Sequence, residues 1–446
     1  MRMRLNRSAG IFVAIIFCIL TSGLFAAVEQ STTYSVITRY GTIQEMTRAA
    51  GSNETLVESA DGRNAYLVRS VQVRSEAQLL QLMGGNESSL TDLQRGLLET
   101  YRFSTHQKFN ELKPRYPGTG GSIKVDLVDI TGYENSERYP KVRDDFWPQN
   151  ARLYRHENGA YNIHSEIRIS GVNCIGYGPG AVSQMKGTYA HEFGHALDLT
   201  AIEYNGYGFD DTHYANEKTA PKASFAEGFA NFIKALFFPE EENHTRNSLQ
   251  TVKIEKPEGG YDSYPIAGGQ ITGEDFLNVE AINALIFTRL AKELPDGEKL
   301  VLDSFSKHNN RDNRMAAFLK NFVKDYPEHA FKAAQILDRE TFGNLSNVQM
   351  RTILGQSANV DRYLASRGSQ TGSGNIQTGT PQKPVAQPVV HRPGTIYQWI
   401  DANGTMHFTD SPPPAGIEYK TRRGSAANVS GHDSGKPPSS DPFNID

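Results

Sequence analysis

The chain has 446 residues and carries 46 basic and 50 acidic side chains, giving a formal net charge of −4. This near balance argues against a nucleic-acid-binding protein, which normally has a basic patch or a high pI. The mean hydropathy is −0.50, and no apolar run after residue 27 is long enough to cross a bilayer. We therefore expect no nucleic-acid partner and no stable membrane span in the mature protein.

The first 27 residues have the pattern of a secretory signal peptide. Three arginines precede the apolar run Ile11–Leu20, and small residues follow it up to Ala27. This order predicts cleavage near residue 27 and a periplasmic or secreted protein. The alternative is an uncleaved membrane anchor, which the shortness of the apolar run disfavours.

Cleavage at that point leaves Cys174 as the single cysteine. No intramolecular disulfide is then available, so an exported chain of this length must rely on its hydrophobic core. A metal-ligand or switch role is open to Cys174, but a buried structural thiol is the favoured interpretation.

Residues 28–90 contain short β-like runs, such as Thr33–Thr38 and Tyr66–Val73, separated by turn signals. We find no chemistry-bearing motif in them. They form an N-terminal region of unknown role, open to interpretation as a pro-segment, a small β domain or a decoration of the next domain.

Helical periodicity dominates after residue 91. Helices are predicted over 91–113, 182–204, 223–238, 279–294, 298–308, 314–326 and 329–339. A strand is predicted over Ser122–Ile130, and residues 131–159 are polar and irregular. These elements favour an α+β domain over 91–365 that ends in a helical subdomain.

The segment Tyr161–Ile169 alternates between apolar and polar residues. The alternation predicts a strand with one polar face, either at an edge of the sheet or within it. An edge strand can bind an extended peptide by strand addition. We therefore take Ile163, Ser165 and Ile167 as candidate substrate-binding residues.

Residues 191–195 fit the pattern H-E-x-x-H inside a predicted helix. Residues four apart share a helix face, so His191 and His195 present both imidazoles to one point, with Glu192 about 100° around the helix. This arrangement indicates a zinc site in which the metal activates a water molecule and the glutamate is the general base. Two solvated surface histidines are the alternative. Gly194 argues against it, because a glycine that costs about 1 kcal/mol in a helix interior usually has a packing reason.

A catalytic zinc needs a third protein ligand. The extended pattern H-E-x-x-H-x-x-G-x-x-H is absent, since Asp198 and Ala201 occupy its last two fixed positions. Asp198 shares the histidine face but lies roughly 4–5 Å further along the axis than His195. It suits a role behind the ligands, or at the helix end, better than direct ligation.

Glu227 is the best candidate for the third ligand. Its face of the predicted helix 223–238 carries alanines, which let a second helix approach closely. Asn231, one turn later, is placed to orient a ligand histidine. A solvated Glu227 is the plain alternative, and the rival ligands are Asp210, Asp211 and His213.

Residues 191–198, followed by residues 225–232, resemble the gluzincin metallopeptidases, and most closely the branch of lethal-factor-like bacterial peptidases. That branch has H-E-F-G-H-x-x-D and then a glutamate on a second helix. The resemblance implies a zincin-like catalytic domain with a mixed sheet and an active-site helix. It implies His191, His195 and Glu227 as zinc (Zn²⁺) ligands, Glu192 as the base, and the candidate edge strand Ile163–Ile169 as a substrate-binding strand.

The chain departs from that branch at one position. The branch places a tyrosine seven residues before the ligand glutamate, where it can stabilise the oxyanion, and here that position is Ala220. A substitute could come from one of five tyrosines, among which the sequence does not choose: Tyr204, Tyr207, Tyr214, Tyr261 and Tyr264.

Composition changes at Ser366, and the segment up to residue 394 is a flexible linker rich in Gly, Ser, Thr, Gln and Pro. Residues 395–422 then form a predicted hairpin module around Asn403-Gly404, and residues 423–446 have a disordered composition. The module is similar to a small β-module of exported Gram-negative proteins. That likeness implies a cell-envelope location and a ligand there.

Together these patterns predict an exported zinc metalloendopeptidase that acts on protein or peptide substrates. The competing hypothesis is a catalytically weak or inactive zincin that serves as a cell-envelope binding protein. The presence of Glu192 favours the enzyme, and Ala220 favours the binder.

Overall fold

The computed structural model describes residues 28–117, 121–157, 160–199, 214–256, 260–266, 270–310 and 312–370, together with strands 395–400, 406–409 and 419–423. The larger compact unit takes in the described residues up to Ile175 and Ala181–Gln370. The smaller unit contains the three C-terminal strands. The predicted signal peptide, the linker from residue 371 and the C-terminal tail lie outside the described residues.

A six-stranded mixed sheet forms the β part of the larger unit. Its strands are β1 (Glu29–Thr42), β2 (Thr55–Glu58), β3 (Asn64–Val73), β4 (Ser122–Asp129), β5 (Gln149–Glu157) and β6 (Ala160–Ile169), in the order β2-β3-β1-β4-β6-β5. The β1–β4 and β4–β6 pairs are parallel, and the other three are antiparallel. Together with the helices below, this sheet confirms the predicted α+β class.

The N-terminal region is an integral part of this sheet. Strand β1 lies between β3 and β4 and pairs with both along most of its length. Tyr34 on β1 donates a hydrogen bond of 2.5 Å to Asp129 on β4, and Ser35 donates one of 2.7 Å to Asp126. The predicted boundary between residues 90 and 91 therefore does not separate two structural units.

The predicted strand over Tyr161–Ile169 is confirmed as β6, but an edge position for it is wrong. Strand β6 pairs with β4 on one side and with β5 on the other. Its alternation reports two different faces of the sheet, with Ile163 and Ile167 buried in the core. The edge belongs to β5, which lies in the stretch 131–159 that the sequence indicates as irregular.

The larger unit also contains α-helices. In chain order they are α1 (Ile43–Ala49), α2 (Glu76–Leu82), α3 (Asp92–Ser104), α4 (Gln107–Leu112), α5 (Val142–Asp145), α6 (Ala181–Leu197), α7 (Pro221–Phe237), α8 (Glu241–Ser248), α9 (Glu280–Glu293), α10 (Gly297–His308), α11 (Met315–Asp325), α12 (Ala330–Glu340), α13 (Asn347–Leu354) and α14 (Ala358–Gln370).

Most predicted helices are confirmed within a few residues. The predicted helix 91–113 is two helices, α3 and α4, and the predicted helix 182–204 ends as α6 at Leu197. Helices α13 and α14 were not predicted, and α14 continues four residues past Ser366, where the sequence indicates a linker.

Helix α6 packs against β5, β6 and α3, helix α7 packs against α6, and α9 packs against α7. Phe225, Phe229 and Phe232 on α7 are buried, and the Phe229 ring stacks on Phe305 of α10 at a centroid distance of 3.6 Å. This aromatic core holds one side of α7 in place and leaves its opposite side facing α6.

Two smaller sheets complete the described chain. Strands β7 (Thr251–Glu255) and β8 (Tyr261–Pro265) form a hairpin that was not predicted. In the smaller unit, β9 (Thr395–Ile400) pairs antiparallel with β10 (Met406–Thr409), which confirms the hairpin predicted around Asn403-Gly404. A third strand, β11 (Tyr419–Arg423), pairs with the other side of β9.

Candidate metal centre

The two histidines of the H-E-x-x-H motif lie one turn apart on α6. Their Nε2 atoms are 3.1 Å apart, and the rings meet edge-to-face with centroids 4.7 Å apart. The helical spacing therefore brings both imidazoles to one point, as the sequence predicts.

Glu227 reaches the same point from α7. Its Oε2 lies 3.1 Å from His191 Nε2 and 3.3 Å from His195 Nε2. These residues form a group whose ligand atoms all lie within 4.8 Å of one another. The structure thus brings together the three predicted ligands, although Glu227 follows His195 by more than thirty residues.

The separations of these three atoms fit a zinc ion. In a tetrahedral site with bonds of about 2.0–2.1 Å, two ligand atoms lie about 3.3–3.4 Å apart. The observed values of 3.1–3.3 Å are close to this. Two imidazole nitrogens and one carboxylate oxygen form a donor set that zinc accepts.

The close approach of α6 and α7 depends on Gly194. A Cβ atom at this position would lie 2.6 Å from Ala230 Cα and 3.2 Å from Ala230 Cβ. Carbon atoms in contact normally lie about 3.5–4.0 Å apart. The glycine in the middle of the motif therefore has the packing reason that the sequence suggests, because it lets Glu227 reach the histidines.

Glu192, the predicted base, is buried on α6 with 8% of its surface exposed. Burial raises its pKa to about 7, and the nearby Glu227 carboxylate adds to the rise. The His191 side chain and a hydrogen bond from the backbone N–H of Asn150 act in the opposite direction. Asn150 is the second residue of β5, so the edge strand of the sheet touches the predicted base directly.

Asn231 contacts His191, and its Oδ1 lies 3.0 Å from His191 Nδ1. An amide oxygen only accepts hydrogen bonds, so this contact requires a proton on His191 Nδ1. Asn231 also contacts Glu280, a residue that no sequence pattern indicates. Asn231 Nδ2 donates a hydrogen bond of 2.5 Å to Glu280 Oε1.

Asp198 lies at the C-terminal end of α6 and is fully buried. It accepts a hydrogen bond of 2.9 Å from Asn313 Nδ2, while Asn309 Nδ2 donates one of 2.7 Å to the Leu197 carbonyl. These contacts fix the end of the helix that carries the histidines. These contacts of Asp198 lie at the helix end, where the sequence analysis considered a role for it.

The predicted substrate-binding residues do not line an open edge. The Ser165 side chain is buried and lies 3.0 Å from the Tyr116 hydroxyl, and Ile163 and Ile167 are core residues. Since β5 covers the backbone edge of β6 on that side, the assignment of Ile163, Ser165 and Ile167 to substrate binding is corrected.

The residues considered for the oxyanion role have different positions. Ala220 caps the N-terminus of α7 and offers only a methyl group. Tyr214 and Tyr261 pack edge-to-face at 5.5 Å, and the Tyr264 hydroxyl donates to Asp262. Tyr204 and Tyr207, like the rival ligands Asp210, Asp211 and His213, lie outside the described residues.

Cys174 is a free, buried thiol, as predicted, and burial raises its pKa to about 12. It lies in a short turn before α6 rather than among the residues that converge on Glu227. Among the described residues, no helix combines the length and the apolar character needed to cross a membrane.

Comparison with known proteins identifies one segment. Residues 394–431 match the family described as "Domain of unknown function (DUF4124)". Such domains are typical of exported Gram-negative proteins, which confirms the kind of module predicted at the C-terminus. No curated protein matches the chain, and no solved structure matches it either.

Proposed function

We propose that this chain is an exported zinc-dependent metallopeptidase of the gluzincin type, with zinc held by His191, His195 and Glu227. The observation that carries the proposal is the convergence of these three ligand atoms to within 3.1–3.3 Å beside a buried glutamate. Zinc, when bound there, supplies a Lewis acid that polarises a peptide carbonyl and lowers the pKa of water.

Glu192 is the acid–base group in this proposal. Its carboxylate is shielded from solvent and is held by the Asn150 backbone N–H. It accepts a proton from the attacking water and delivers that proton to the amine leaving group when the peptide bond breaks. A buried carboxylate suits both steps, because its environment favours the neutral acid more than water does.

The substrate binds, in this proposal, along the outer edge of β5. The backbone N–H of Asn150 points away from β6 and toward Glu192. The N–H and C=O groups of successive residues in a strand point to opposite sides, so residues two apart point to the same side. The N–H and C=O groups of Arg152 therefore also point outward, toward an extended peptide. Strand addition would carry the peptide past the base and toward the metal ligands.

Export is supported by two segments at opposite ends of the chain. The N-terminal 27 residues have the signal-peptide pattern, and residues 394–431 match a domain typical of exported Gram-negative proteins. We place the enzyme in the periplasm or outside the cell, where the C-terminal module binds an envelope ligand.

One observation favours a second function. Ala220 replaces the tyrosine that would stabilise the oxyanion, so a chain that retains zinc but turns over slowly would act as a binding protein. Hydrolysis of a broad peptide library by the zinc-loaded chain separates the two functions. Stoichiometric zinc without any cleavage would favour the binder.

Metal analysis of the purified full-length chain tests the ligand assignment. We expect about one zinc per chain, and Glu227→Ala should lose most of it because two of the three ligands alone make a weak site. Glu298→Ala, which removes a half-exposed carboxylate paired with Lys108, is the matched control. Zinc that survives Glu227→Ala but is lost from Asp211→Ala or His213→Ala would overturn the assignment.

A further inference from the structure

We infer that Glu280 is a positioning residue of the metal centre, which selects the tautomer of His191 through Asn231. The inference rests on the proposed function, since the selected tautomer is the one that a metal requires. Glu280 comes from α9, a third helix beyond the two that carry the ligands.

Glu280 is a buried carboxylate. Glu280 has 5% of its surface exposed and is the first residue of the 14-residue helix α9. The partial positive charge at a helix N-terminus stabilises an anion. An ionised carboxylate can only accept hydrogen bonds, so the group that faces it must be a donor.

Glu280 fixes the orientation of the Asn231 amide. Its amide can present either its oxygen or its NH₂ group to a neighbour. Because Glu280 Oε1 lies 2.5 Å from Nδ2, the NH₂ group is fixed on that side. The Asn231 oxygen is then directed to His191 Nδ1 at 3.0 Å.

The oriented Asn231 amide selects the tautomer of His191. With an acceptor on Nδ1, the ring proton stays there, and the Nε2 lone pair is directed to the point shared with Glu227. A reversed amide would donate to Nδ1, move the proton to Nε2 and block ligation. His195 lacks such a device within the described chain, where its Nδ1 has no hydrogen-bond partner.

Glu280, Asn231 and His191 form a relay of side-chain contacts across three helices. Close packing of the helix backbones keeps this relay short. A Cβ at Gly228 would lie 2.5 Å from Asn283 Cβ and 3.0 Å from the Glu280 carbonyl oxygen. Helix α9 therefore approaches α7 as closely as α7 approaches α6. Two glycine contacts, at Gly194 and Gly228, bring three helices close enough for Glu280 to act on a ligand through one intervening side chain.

Isosteric substitutions test the relay through the zinc dissociation constant, measured by competition with a chelator. Glu280→Gln can present an NH₂ group to Asn231 and allow the amide to reverse, so we expect weaker binding by about 10- to 100-fold. Adding Asn231→Asp should restore binding to within about 3-fold of the wild type. The new carboxylate accepts from both the introduced amide and His191 Nδ1–H.

Rescue separates positioning from mere stability. If Glu280 only supported the core, a second buried substitution would weaken the protein further. Glu340→Gln, at a glutamate on α12 that is 2% exposed and bonded to Arg339, controls for the loss of a buried charge. Glu340→Gln should lower the melting temperature and leave the zinc dissociation constant unchanged.

Nitrogen-15 NMR of the His191 ring gives a readout that needs no metal. We expect Nδ1–H in the wild type, a mixture of tautomers in Glu280→Gln and a return to Nδ1–H in the double variant. Unchanged zinc binding and tautomer in Glu280→Gln would overturn the inference. A wild type that binds no zinc but shows these tautomer shifts would overturn the proposed function and leave the role of Glu280 in place.

Discussion

Gly194→Ala tests how closely the two ligand-bearing helices must approach. The added methyl group would lie 2.6 Å from Ala230 Cα and 3.2 Å from Ile233 Cβ, with the first of these atoms in the backbone. Since carbon contacts relax to about 3.6 Å, α7 must retreat by about 1 Å. Glu227 lies one turn before Ala230, so its carboxylate retreats from the histidines with the helix.

The change in the free energy of unfolding follows from two opposing contributions. Overpacking of a core costs about 1–3 kcal/mol, whereas alanine stabilises a helix by about 1 kcal/mol relative to glycine. We therefore expect a metal-free protein whose free energy of unfolding falls by no more than about 2 kcal/mol. Zinc must draw the helices back together, so its dissociation constant should rise about 5- to 150-fold, which corresponds to 1–3 kcal/mol.

Gly187→Ala is the matched control on the same helix. Its Cβ would meet Lys234 Cε at 2.9 Å, the far end of a flexible side chain that can move aside. We expect it to keep the wild-type zinc constant and to gain slightly in thermal stability. The assay is competition with a chromophoric chelator, with circular dichroism for melting. Equal zinc constants for Gly194→Ala and the wild type would refute the argument from close packing.

Two further predictions concern the sheet. Arg152→Pro should raise KM for a peptide substrate several-fold without changing the zinc constant, because it removes one outward N–H of an edge strand, where proline is tolerated; Arg152→Ala controls for loss of the side chain, and an unchanged KM would argue against binding along β5. Removal of residues 28–73 should abolish the cooperative unfolding transition seen by circular dichroism, because it deletes three of the six strands of the sheet and leaves β4 without its neighbour β1. Truncation after Gln370, which removes strands of the other compact unit, should preserve that transition; a stable, active chain lacking 28–73 would show that this region is a removable pro-segment.

The convergence of His191, His195 and Glu227 could be predicted because its sequence signals are local. Helical periodicity alone places His191 and His195 on one face, and a run of small residues on α7 marks the side that can approach α6. Glu227 is identified because the glutamate lies on that side. Glu280 gives no such signal, since it acts across 49 positions of sequence through a single amide.

The error over the edge strand has a physical cause. Alternation of side chains reports which faces of a strand are apolar, whereas the edge of a sheet is defined by backbone pairing. On the polar face of β6, Glu166 pairs with Lys124 at 3.4 Å, so its polarity reflects a sheet face. Strand β5 was not recognised because its segment, Gln149–Glu157, lacks apolar alternation.

The position of the N-terminal region could not be inferred for a related reason. Strand β1 pairs with β4, which lies about ninety residues later in the chain. Neither strand carries a local feature that specifies the other as its partner. Parallel pairing between distant segments depends on the whole sheet, and the turn signals near residue 90 indicated a boundary that the fold does not have.

The most direct test of the central claim compares peptide hydrolysis by the wild type and by Glu192→Gln at equal zinc content. The substitution keeps the size of the buried side chain and leaves the three ligands intact, but an amide cannot accept the proton of the attacking water. We predict one zinc per chain in both proteins and a fall in kcat of at least about 100-fold in the variant. Cleavage at the wild-type rate by zinc-loaded Glu192→Gln would contradict the account.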